Sequence, residues 1–151
     1  MESVSQLLLV KGSTVHTIDR MATVFDAITK MVEQNVGALL VMDGQRACGI
    51  LTERDYLRKV AVCGRASRTT RVEEIMSSGL ISVEPDTAIE ACMELMTSNR
   101  IRHLPVFEDN QLAGILSIGD IVKSLARDRL SQIEQLTAYV QGGEFAYRTT
   151  A

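Results

Sequence analysis

The stretch Gly-Ile-Leu-Thr-Glu-Arg-Asp at residues 49–55 decides the fold, because it recurs as Gly-Ile-Leu-Ser-Ile-Gly-Asp at residues 114–120. The second copy begins 65 residues after the first (114 against 49), and the same spacing aligns Met31 with Met96. No gap is needed in this register from residue 15 to residue 60. So long a register without gaps indicates an internal duplication, which dictates the architecture.

Each copy predicts the element order β-α-β-β-α. In the second copy, the apolar run 80–83 before Pro85 predicts a short strand, and Asp86 is predicted to cap the helix that follows. Two further strands, 103–107 and 112–117, flank a polar turn and predict a hairpin. The first copy predicts the equivalent elements: a strand at 16–18, a helix from 22 or 23 to 34, strands at 38–42 and 47–52, and a helix at 53–62.

Units of about 50 residues are too short to bury a good core separately. We therefore expect an α+β fold in which two β-α-β-β-α units pack with pseudo-twofold symmetry, followed by a C-terminal helix. Each unit is predicted to begin with a short helix, and a Gly-Gly pair is predicted to end the last helix. The predicted boundaries are 4–62 for unit 1, 63–71 for a polar linker, 72–127 for unit 2, 128–143 for the C-terminal helix and 144–151 for a flexible tail.

Composition limits the classes of function. The chain has 151 residues with a net charge of −3, and no apolar run approaches the roughly 18 residues that span a bilayer. This slightly acidic balance argues against a nucleic-acid partner. Cys48, Cys63 and Cys92 are too widely spaced for a redox pair or a zinc site and are predicted to be reduced. We expect a cytoplasmic protein, or one of the mitochondrial matrix if a transit peptide has been removed.

The repeated stretch carries the chemistry. It places a Thr or Ser at a strand end and an Asp three residues later, in the first turn of a helix. Helix N-termini favour phosphate, and a carboxylate accepts hydrogen bonds from a vicinal diol such as ribose. The pattern therefore suits a nucleotide, although Asp55 and Asp120 are equally able to act only as helix caps.

These residues resemble a known family. The duplicated Gly-Ile-Leu-(Thr/Ser)-x-x-Asp pattern, the β-α-β-β-α unit and His-Leu-Pro-Val at 103–106 are similar to tandem cystathionine-β-synthase (CBS) domains, from about residue 4 to 127. The segments 53–59 and 99–103 resemble small stand-alone CBS-pair proteins of bacteria and plant organelles. The resemblance implies a non-catalytic sensor that requires no cofactor and binds an adenosyl ligand between its units. AMP is the first candidate, followed by NAD, ATP, ADP or S-adenosylmethionine.

For the second unit, the resemblance implies that Asp120 holds the ribose diol and that Ser117 contacts ribose or phosphate. Arg102 and His103 are expected to neutralise phosphate at the same site. The whole predicted set is Ser82, Val83, Arg102, His103, Leu104, Pro105, Ser117 and Asp120.

The equivalent site in the first unit is expected to be weaker, because Gly37 and Ala38 stand where the second unit has Arg102 and His103. Arg54, Lys11 and His16 are the candidates to supply the missing positive charge. The predicted set is Thr17, Ile18, Ala38, Leu39, Thr52, Arg54 and Asp55.

Other kinds of site are weakly supported. His16 and His103 have no second ligand at metal-binding spacing, so no metal site is predicted. No residue pattern predicts an enzyme. Arg65, Arg68 and Arg71 are predicted to lie in a solvated linker, with one of them available to a ligand phosphate.

The pattern of the C-terminal helix indicates which partner proteins to expect. Leu130, Ile133, Leu136 and Val140 recur at helical spacing and predict an amphipathic helix. It either folds back onto its own domain or forms a dimer contact, and the resemblance favours a homodimer. A separate effector protein is expected to read the ligand state. The alternatives are a ligand-independent interaction module or an NAD(H)-responsive regulator of a thioredoxin-like partner.

Overall fold

The computed structural model describes the backbone of residues 2–148 and the side chains of residues 2–141. This part of the chain has five α-helices and five strands, and the order α-β-β-α occurs twice. A π-helical turn extends the third helix, and a 3-10 turn follows the linker. The helices are α1 (Val4–Lys11), α2 (Val24–Gln34), α3 (Glu53–Tyr56), α4 (Ile89–Asn99) and α5 (Ile118–Arg148); the strands are β1 (Thr17–Asp19), β2 (Ala38–Asp43), β3 (Arg46–Thr52), β4 (His103–Glu108) and β5 (Gln111–Ser117); the π-helical turn is Leu57–Ala61 and the 3-10 turn Val72–Glu74.

The duplication is visible in two antiparallel hairpins. Ala38 pairs with Thr52 in the β2–β3 hairpin, and His103 pairs with Ser117 at the equivalent place in the β4–β5 hairpin. Each hairpin carries one register shift, again at equivalent positions. The predicted α+β fold with two similar units and a C-terminal helix is confirmed.

The two sheets differ by one strand. In the first unit β1 runs parallel to β2, and the N–H of Leu40 donates to the His16 carbonyl at 3.1 Å. In the second unit, the predicted strand at 80–83 is wrong: among the described residues this segment pairs with β4 only through an isolated bridge at Val83. Pro105 stands where the first unit has Leu40, and it has no N–H with which to extend the ladder.

Each unit has its own core, and the segment that precedes each unit packs into the core of the other. Val4 and Leu7 of α1 are 0% and 1% exposed and lie in the core of the second unit. Val72 and Ile75, at and after the 3-10 turn, lie in the core of the first unit. The predicted boundaries 4–62 and 72–127 place each leading segment with the unit that follows it along the chain, whereas in the structure each leading segment packs into the core of the other unit.

Backbone hydrogen bonds hold α1 in its place. The N–H of Val4 donates to the Thr87 carbonyl at 2.9 Å, and the N–H of Ile89 donates to the Glu2 carbonyl at 3.1 Å. The second bond occupies the first free N–H of α4, which has no side-chain cap. The prediction that Asp86 caps this helix is wrong, because the backbone before α1 supplies the acceptor instead.

The glycine that opens each repeated stretch is where the exchanged segment crosses the hairpin. A Cβ atom on Gly114 would lie 2.8 Å from Cδ2 of Leu8 in α1. A Cβ atom on Gly49 would lie 2.8 Å from the Ser77 carbonyl oxygen. Glycine allows a close backbone approach at Gly49, whereas at Gly114 it accommodates the side chain of Leu8.

Helix α5 runs without interruption from Ile118 to Arg148, so the helix does not end at the predicted boundary at residue 128. The predicted helix end at Gly142-Gly143 is also wrong. A glycine costs a helix only about 1 kcal/mol relative to alanine, which does not by itself end it. Residues 144–148 of the flexible tail predicted for 144–151 continue α5, and the last three residues lie outside the described part of the chain.

The exchange of segments makes α1 part of the second core, and this can be tested. We expect Leu7→Ala to lower the free energy of unfolding by about 2–5 kcal/mol, because it removes a buried leucine. Leu9→Ala is the matched control on the same helix, since Leu9 is 86% exposed, and its effect should stay within about 0.5 kcal/mol. Urea denaturation measures both, and equal small effects would show that α1 does not contribute to the core.

Candidate functional site

The repeated stretch forms the same turn in both units, where a strand ends and a helix begins. In the first unit the N–H of Asp55 donates to Oγ1 of Thr52 at 3.2 Å, and the N–H of Thr52 donates to Oδ2 of Asp55 at 3.0 Å. In the second unit the N–H of Asp120 donates to Oγ of Ser117 at 3.1 Å, and the N–H of Ser117 donates to Oδ2 of Asp120 at 2.8 Å. Both aspartates therefore cap their helices, as the simpler interpretation of the sequence allowed.

The two carboxylates differ in what remains free to bind a ligand. Asp55 is 9% exposed and uses both oxygens, since its Oδ1 lies 3.2 Å from Nζ of Lys59. Asp120 uses only Oδ2, which also accepts from Nζ of Lys11 at 2.7 Å. Oδ1 of Asp120 accepts no hydrogen bond from residues 2–141, so one oxygen of this carboxylate is available.

A cleft of about 280 Å³ opens at Asp120, between the two units. The second unit contributes Ser117 and Asp120, and the first contributes the loop that leads into β2. We call it the Asp120 cleft. It is lined by Lys11, His16, Asn35, Val36, Gly37, Ala38, His103, Ile115, Ser117 and Asp120.

A second cleft, of about 270 Å³, lies at the equivalent place beside Asp55. The first unit contributes Thr52 and Asp55, and the second contributes the loop that leads into β4. We call it the Asp55 cleft. Its lining is Gly37, Ile50, Thr52, Glu53, Arg54, Asp55, Ser77, Gly79, Leu80, Ile81, Arg100, Ile101, Arg102, His103 and Pro105.

The family model for the CBS domain matches this chain twice, over residues 10–62 and 72–127. The chain belongs to the CBS-domain family. It is a tandem CBS pair, and the resemblance recognised in the sequence is confirmed. Membership of this family indicates a regulatory module and does not indicate a catalytic family.

Relatives support the assignment. The mitochondrial CBS domain-containing protein CBSX3 of Arabidopsis thaliana is 47% identical over 126 residues, which cover 80% of this chain and 61% of the relative. This chain therefore spans about three fifths of that protein. The solved structure of a CBS-domain protein from Burkholderia ambifaria MC40-6 is 48% identical, with a TM-score of 0.82 over 84% of this chain and 96% of the other.

A more distant structure shares the fold. It is the CBS domain pair of protein MJ0100, solved in complex with 5′-methylthioadenosine and S-adenosyl-L-methionine. The match has 21% identity and a TM-score of 0.73, covering 85% of this chain and 98% of that one.

The structure distributes the predicted ligand residues between the two clefts of the CBS pair differently from the prediction. Ser117, Asp120 and His103 do line the Asp120 cleft, but Arg102 and Pro105 line the Asp55 cleft, which His103 also reaches. Ser82, Val83 and Leu104 line neither, and Leu104 is fully buried in the second core.

A similar exchange affects the site predicted in the first unit. Thr52, Arg54 and Asp55 line the Asp55 cleft as expected, but Ala38 lines the Asp120 cleft, and Thr17, Ile18 and Leu39 line neither. The reason lies in the pseudo-twofold packing, because the loop before β2 or β4 reaches across to the cleft of the other unit. Sequence reasoning missed Asn35, Val36, Arg100 and Ile101 for that reason, although their spacing of 65 residues relates them in pairs.

Positive charge is also distributed in the opposite way to the prediction. Arg54, Arg100 and Arg102 line the Asp55 cleft, and none of them has an ion pair or side-chain hydrogen bond within residues 2–141. Lys11 and His16 were candidates to compensate the first-unit site, but they line the Asp120 cleft. Of the three candidates to supply positive charge beside Asp55, Arg54 therefore lines its cleft, and Arg100 and Arg102 of the second unit add to it.

The side chains of the three linker arginines make contacts at the first unit. Arg65 pairs with Glu74 at 2.7 Å, Arg68 lies 3.8 Å above the Phe25 ring, and Arg71 donates to the Met21 carbonyl at 2.8 Å. None of these arginines lines either cleft, so the suggestion that one of them reaches a ligand phosphate is wrong.

Burial and charge set the ionisation of the Asp120 cleft. Burial raises the pKa of Asp120, but hydrogen bonds from Lys11 and Ser117 outweigh it, so its pKa lies below the ordinary value. Burial lowers the pKa of His103 below its ordinary value, and the charge of Asp120 only partly opposes this. Both pKa shifts act in the same direction, since a lowered pKa favours the charged carboxylate of Asp120 and the neutral imidazole of His103.

Other chemistry finds less support. No group of three or more His, Cys, Asp or Glu side chains placed to hold a metal ion occurs in the part of the chain that the structure describes. All three cysteines are free, and burial raises the pKa of the Cys48 and Cys92 thiols. Among the described helices, none has the length and apolar character needed to cross a membrane.

The Lys11–Asp120 pair predicts a pH dependence. The lowered pKa of Asp120 contributes stability that is fully present above its unfolded-state pKa of about 3.9 and is lost as pH falls through the folded-state pKa. We expect the wild type to be more stable than Asp120→Asn at pH 7, with a gap that narrows as pH is lowered through that range. Lys11→Met should show the same narrowing, because it removes the other half of the pair. A gap that stays constant from pH 7 to pH 3 in urea denaturation would contradict this assignment.

Proposed function

We propose that this CBS pair is a non-catalytic regulatory module that binds an adenosyl ligand in the Asp120 cleft and signals its presence to a separate protein. The observation that carries the proposal is the carboxylate of Asp120, which has one free oxygen beside the hydroxyl of Ser117 in a cleft between two units. AMP is the first ligand to test, and NAD(H), ADP, ATP and S-adenosylmethionine follow.

The chemistry of the cleft supports this class of ligand. A carboxylate accepts two hydrogen bonds from a vicinal diol, as it does for ribose in other nucleotide sites. In the first turn of α5, the N–H groups of Ile118 and Asp120 already donate to the Arg102 carbonyl and to Oγ of Ser117. The N–H of Gly119 has no acceptor among residues 2–141, and at a helix N-terminus such a donor favours phosphate. The neutral imidazole of His103 offers a further donor or acceptor. MJ0100 supports the proposal only in that a CBS pair of this fold holds adenosyl ligands.

The Asp55 cleft is proposed as a second ligand site with a preference for more phosphate. Arg54, Arg100 and Arg102 outnumber the acidic residues Glu53 and Asp55 along its lining. Because both oxygens of Asp55 are already occupied, a diol is bound less readily there than at Asp120. This cleft favours phosphate groups, as in ADP, ATP or the pyrophosphate of NAD, over the ribose itself.

Calorimetry on nucleotide-free protein tests the proposal. We expect AMP to bind, and we expect Asp120→Asn to weaken it about 10- to 100-fold, since a hydrogen bond to a charged group is worth about 1.5–3 kcal/mol. The amide that replaces the carboxylate in this variant retains an oxygen that can accept from the N–H of Ser117, so the variant should fold.

Asp128→Asn is the matched control, because it makes the same chemical change on an exposed part of the same helix. It should leave the affinity unchanged. If none of the five ligands produces heat with the wild-type protein, the sensor hypothesis fails and the ligand-independent interaction module becomes the better proposal.

We also propose that the chain forms a homodimer through α5. Beyond residue 125 every described side chain of α5 is exposed, so the helix does not fold back onto its own domain. Leu130, Ile133, Leu136 and Val140 lie along one stripe at helical spacing, which a second copy would match with the same stripe. The exposed apolar residues from this part of α5 are Leu130, Ile133, Leu136, Tyr139 and Val140.

The mass in solution tests the dimer. We expect light scattering to give twice the 16.6 kDa chain mass for the wild type, and Ile133→Glu or Leu136→Glu to yield monomers, because a charge would enter the apolar contact. Gln135→Glu adds the same charge on the opposite side of the helix and should leave the dimer intact. A wild-type monomer at high concentration would rule this interface out.

The proposal also includes the cellular compartment of the protein and the effector protein that it regulates. Three free cysteines favour a reducing compartment, cytoplasmic or of the mitochondrial matrix. An effector protein, of which a thioredoxin-like protein is one candidate, is proposed to read the ligand state.

A further inference from the structure

The side chain of Lys11 ends inside the Asp120 cleft although the residue belongs to neither of the repeated stretches. Lys11 is the last residue of α1, and its ammonium group lies 2.7 Å from Oδ2 of Asp120 and 2.6 Å from the Ile115 carbonyl oxygen. The side chain is 24% exposed. One cation therefore occupies the carboxylate that is proposed to bind the ligand.

The rest of α1 is anchored to the second unit, so only the side chain of Lys11 is able to move out of the cleft. Val4 and Leu7 are buried in the second core, and the N–H of Ser5 donates to the Pro85 carbonyl at 2.8 Å. After Gly12 the chain leaves α1 and reaches His16, whose carbonyl is bonded to β2 of the first unit. The segment is thus held at both ends, and the long stem of Lys11 is the part that is free to change its partner.

A ribose diol and Lys11 compete for the same oxygen. Oδ2 of Asp120 already accepts from Lys11 and from the N–H of Ser117, and a diol that grips a carboxylate with both hydroxyls needs Oδ1 and Oδ2 together. A bound diol therefore requires the ammonium group to leave Oδ2. The group keeps the Ile115 carbonyl as an acceptor but loses its negatively charged partner, and a largely buried cation without a counter-charge is costly.

We propose that Lys11 is the specificity residue of the Asp120 cleft: it covers Asp120 when the cleft is empty and transfers to an anionic group of the ligand when the ribose binds. The cleft then selects ligands that carry both a vicinal diol and a negative charge. A neutral nucleoside breaks the ion pair and offers nothing in return, whereas a nucleotide replaces it with a phosphate contact. This inference rests on the adenosyl-binding function proposed above.

The test compares AMP with adenosine, which differ only in the phosphate. Binding is followed by NMR at the amide of Gly119, which lies between Ser117 and Asp120 and so reports on this cleft rather than on the Asp55 cleft. We expect the wild type to prefer AMP. In Lys11→Met, adenosine should bind more tightly because its competitor is gone, and AMP more weakly because its partner is gone. The ratio of the two affinities should fall by at least about 10-fold.

Two further variants separate this role from a structural one. Lys11→Arg keeps the charge and should restore most of the preference for AMP. Lys59→Met removes the lysine that pairs with Asp55 in the other cleft and should leave the ratio at Gly119 unchanged. Methionine is a good helix former with a similar apolar stem, so neither methionine variant should unfold the protein.

The outcomes are distinguishable. If both ligands bind the wild type but Lys11→Met leaves their ratio unchanged, or weakens both equally, Lys11 is a structural residue and this inference is wrong while the proposed function stands. If neither ligand shifts Gly119 in the wild type, the proposed binding at this cleft fails, and the inference fails with it.

Discussion

The structure depends on the crossing of α1 over the second hairpin at Gly114. Each CBS unit alone is too small to bury an adequate core, and here each core is completed by a segment from outside its own repeat. The hairpin accommodates the crossing with a position that has no side chain, Gly114, where Leu8 lies. The two units are consequently interdependent in stability. The same crossing brings Lys11 to the carboxylate of the opposite unit, so one packing constraint also sets the composition of the cleft.

Much of the fold could be predicted from the repeat, because the spacing of 65 residues aligned strands and helices in both copies. The hairpins and α2 followed directly, since Thr23 caps the helix and the predicted strands pair as antiparallel hairpins. The predictions that failed concern which unit a segment packs against. Nothing in the apolar pattern of α1 distinguishes one core from the other, as both demand the same kind of side chain. The strand at 80–83 failed for a local reason, the missing N–H of Pro105, which the sequence did contain.

The carboxylates of the candidate site could be predicted from the sequence, but the positions of its cations could not. Asp55 and Asp120 are tied to the repeated stretch, so their place at a strand-to-helix turn followed from the sequence. Arg102 was assigned to the wrong cleft because proximity along the strand was taken as proximity to Asp120. In the folded pair, the loop before β4 faces the other unit. The duplication therefore produces two clefts of similar size but opposite character, one with its cation already paired and one with three arginines still free of partners within residues 2–141.

The single proline that shortens the second sheet also makes the two clefts mechanically unequal. Leu80 and Ile81, which form part of the wall of the Asp55 cleft, lack the strand pairing that fixes the equivalent segment beside His16. A wall held by fewer backbone hydrogen bonds opens at a lower free-energy cost. We therefore expect the Asp55 cleft to be the more compliant of the two proposed sites, adjusting its width to ligands of different length, and the Asp120 cleft to keep a fixed shape and to select its proposed ligand by charge.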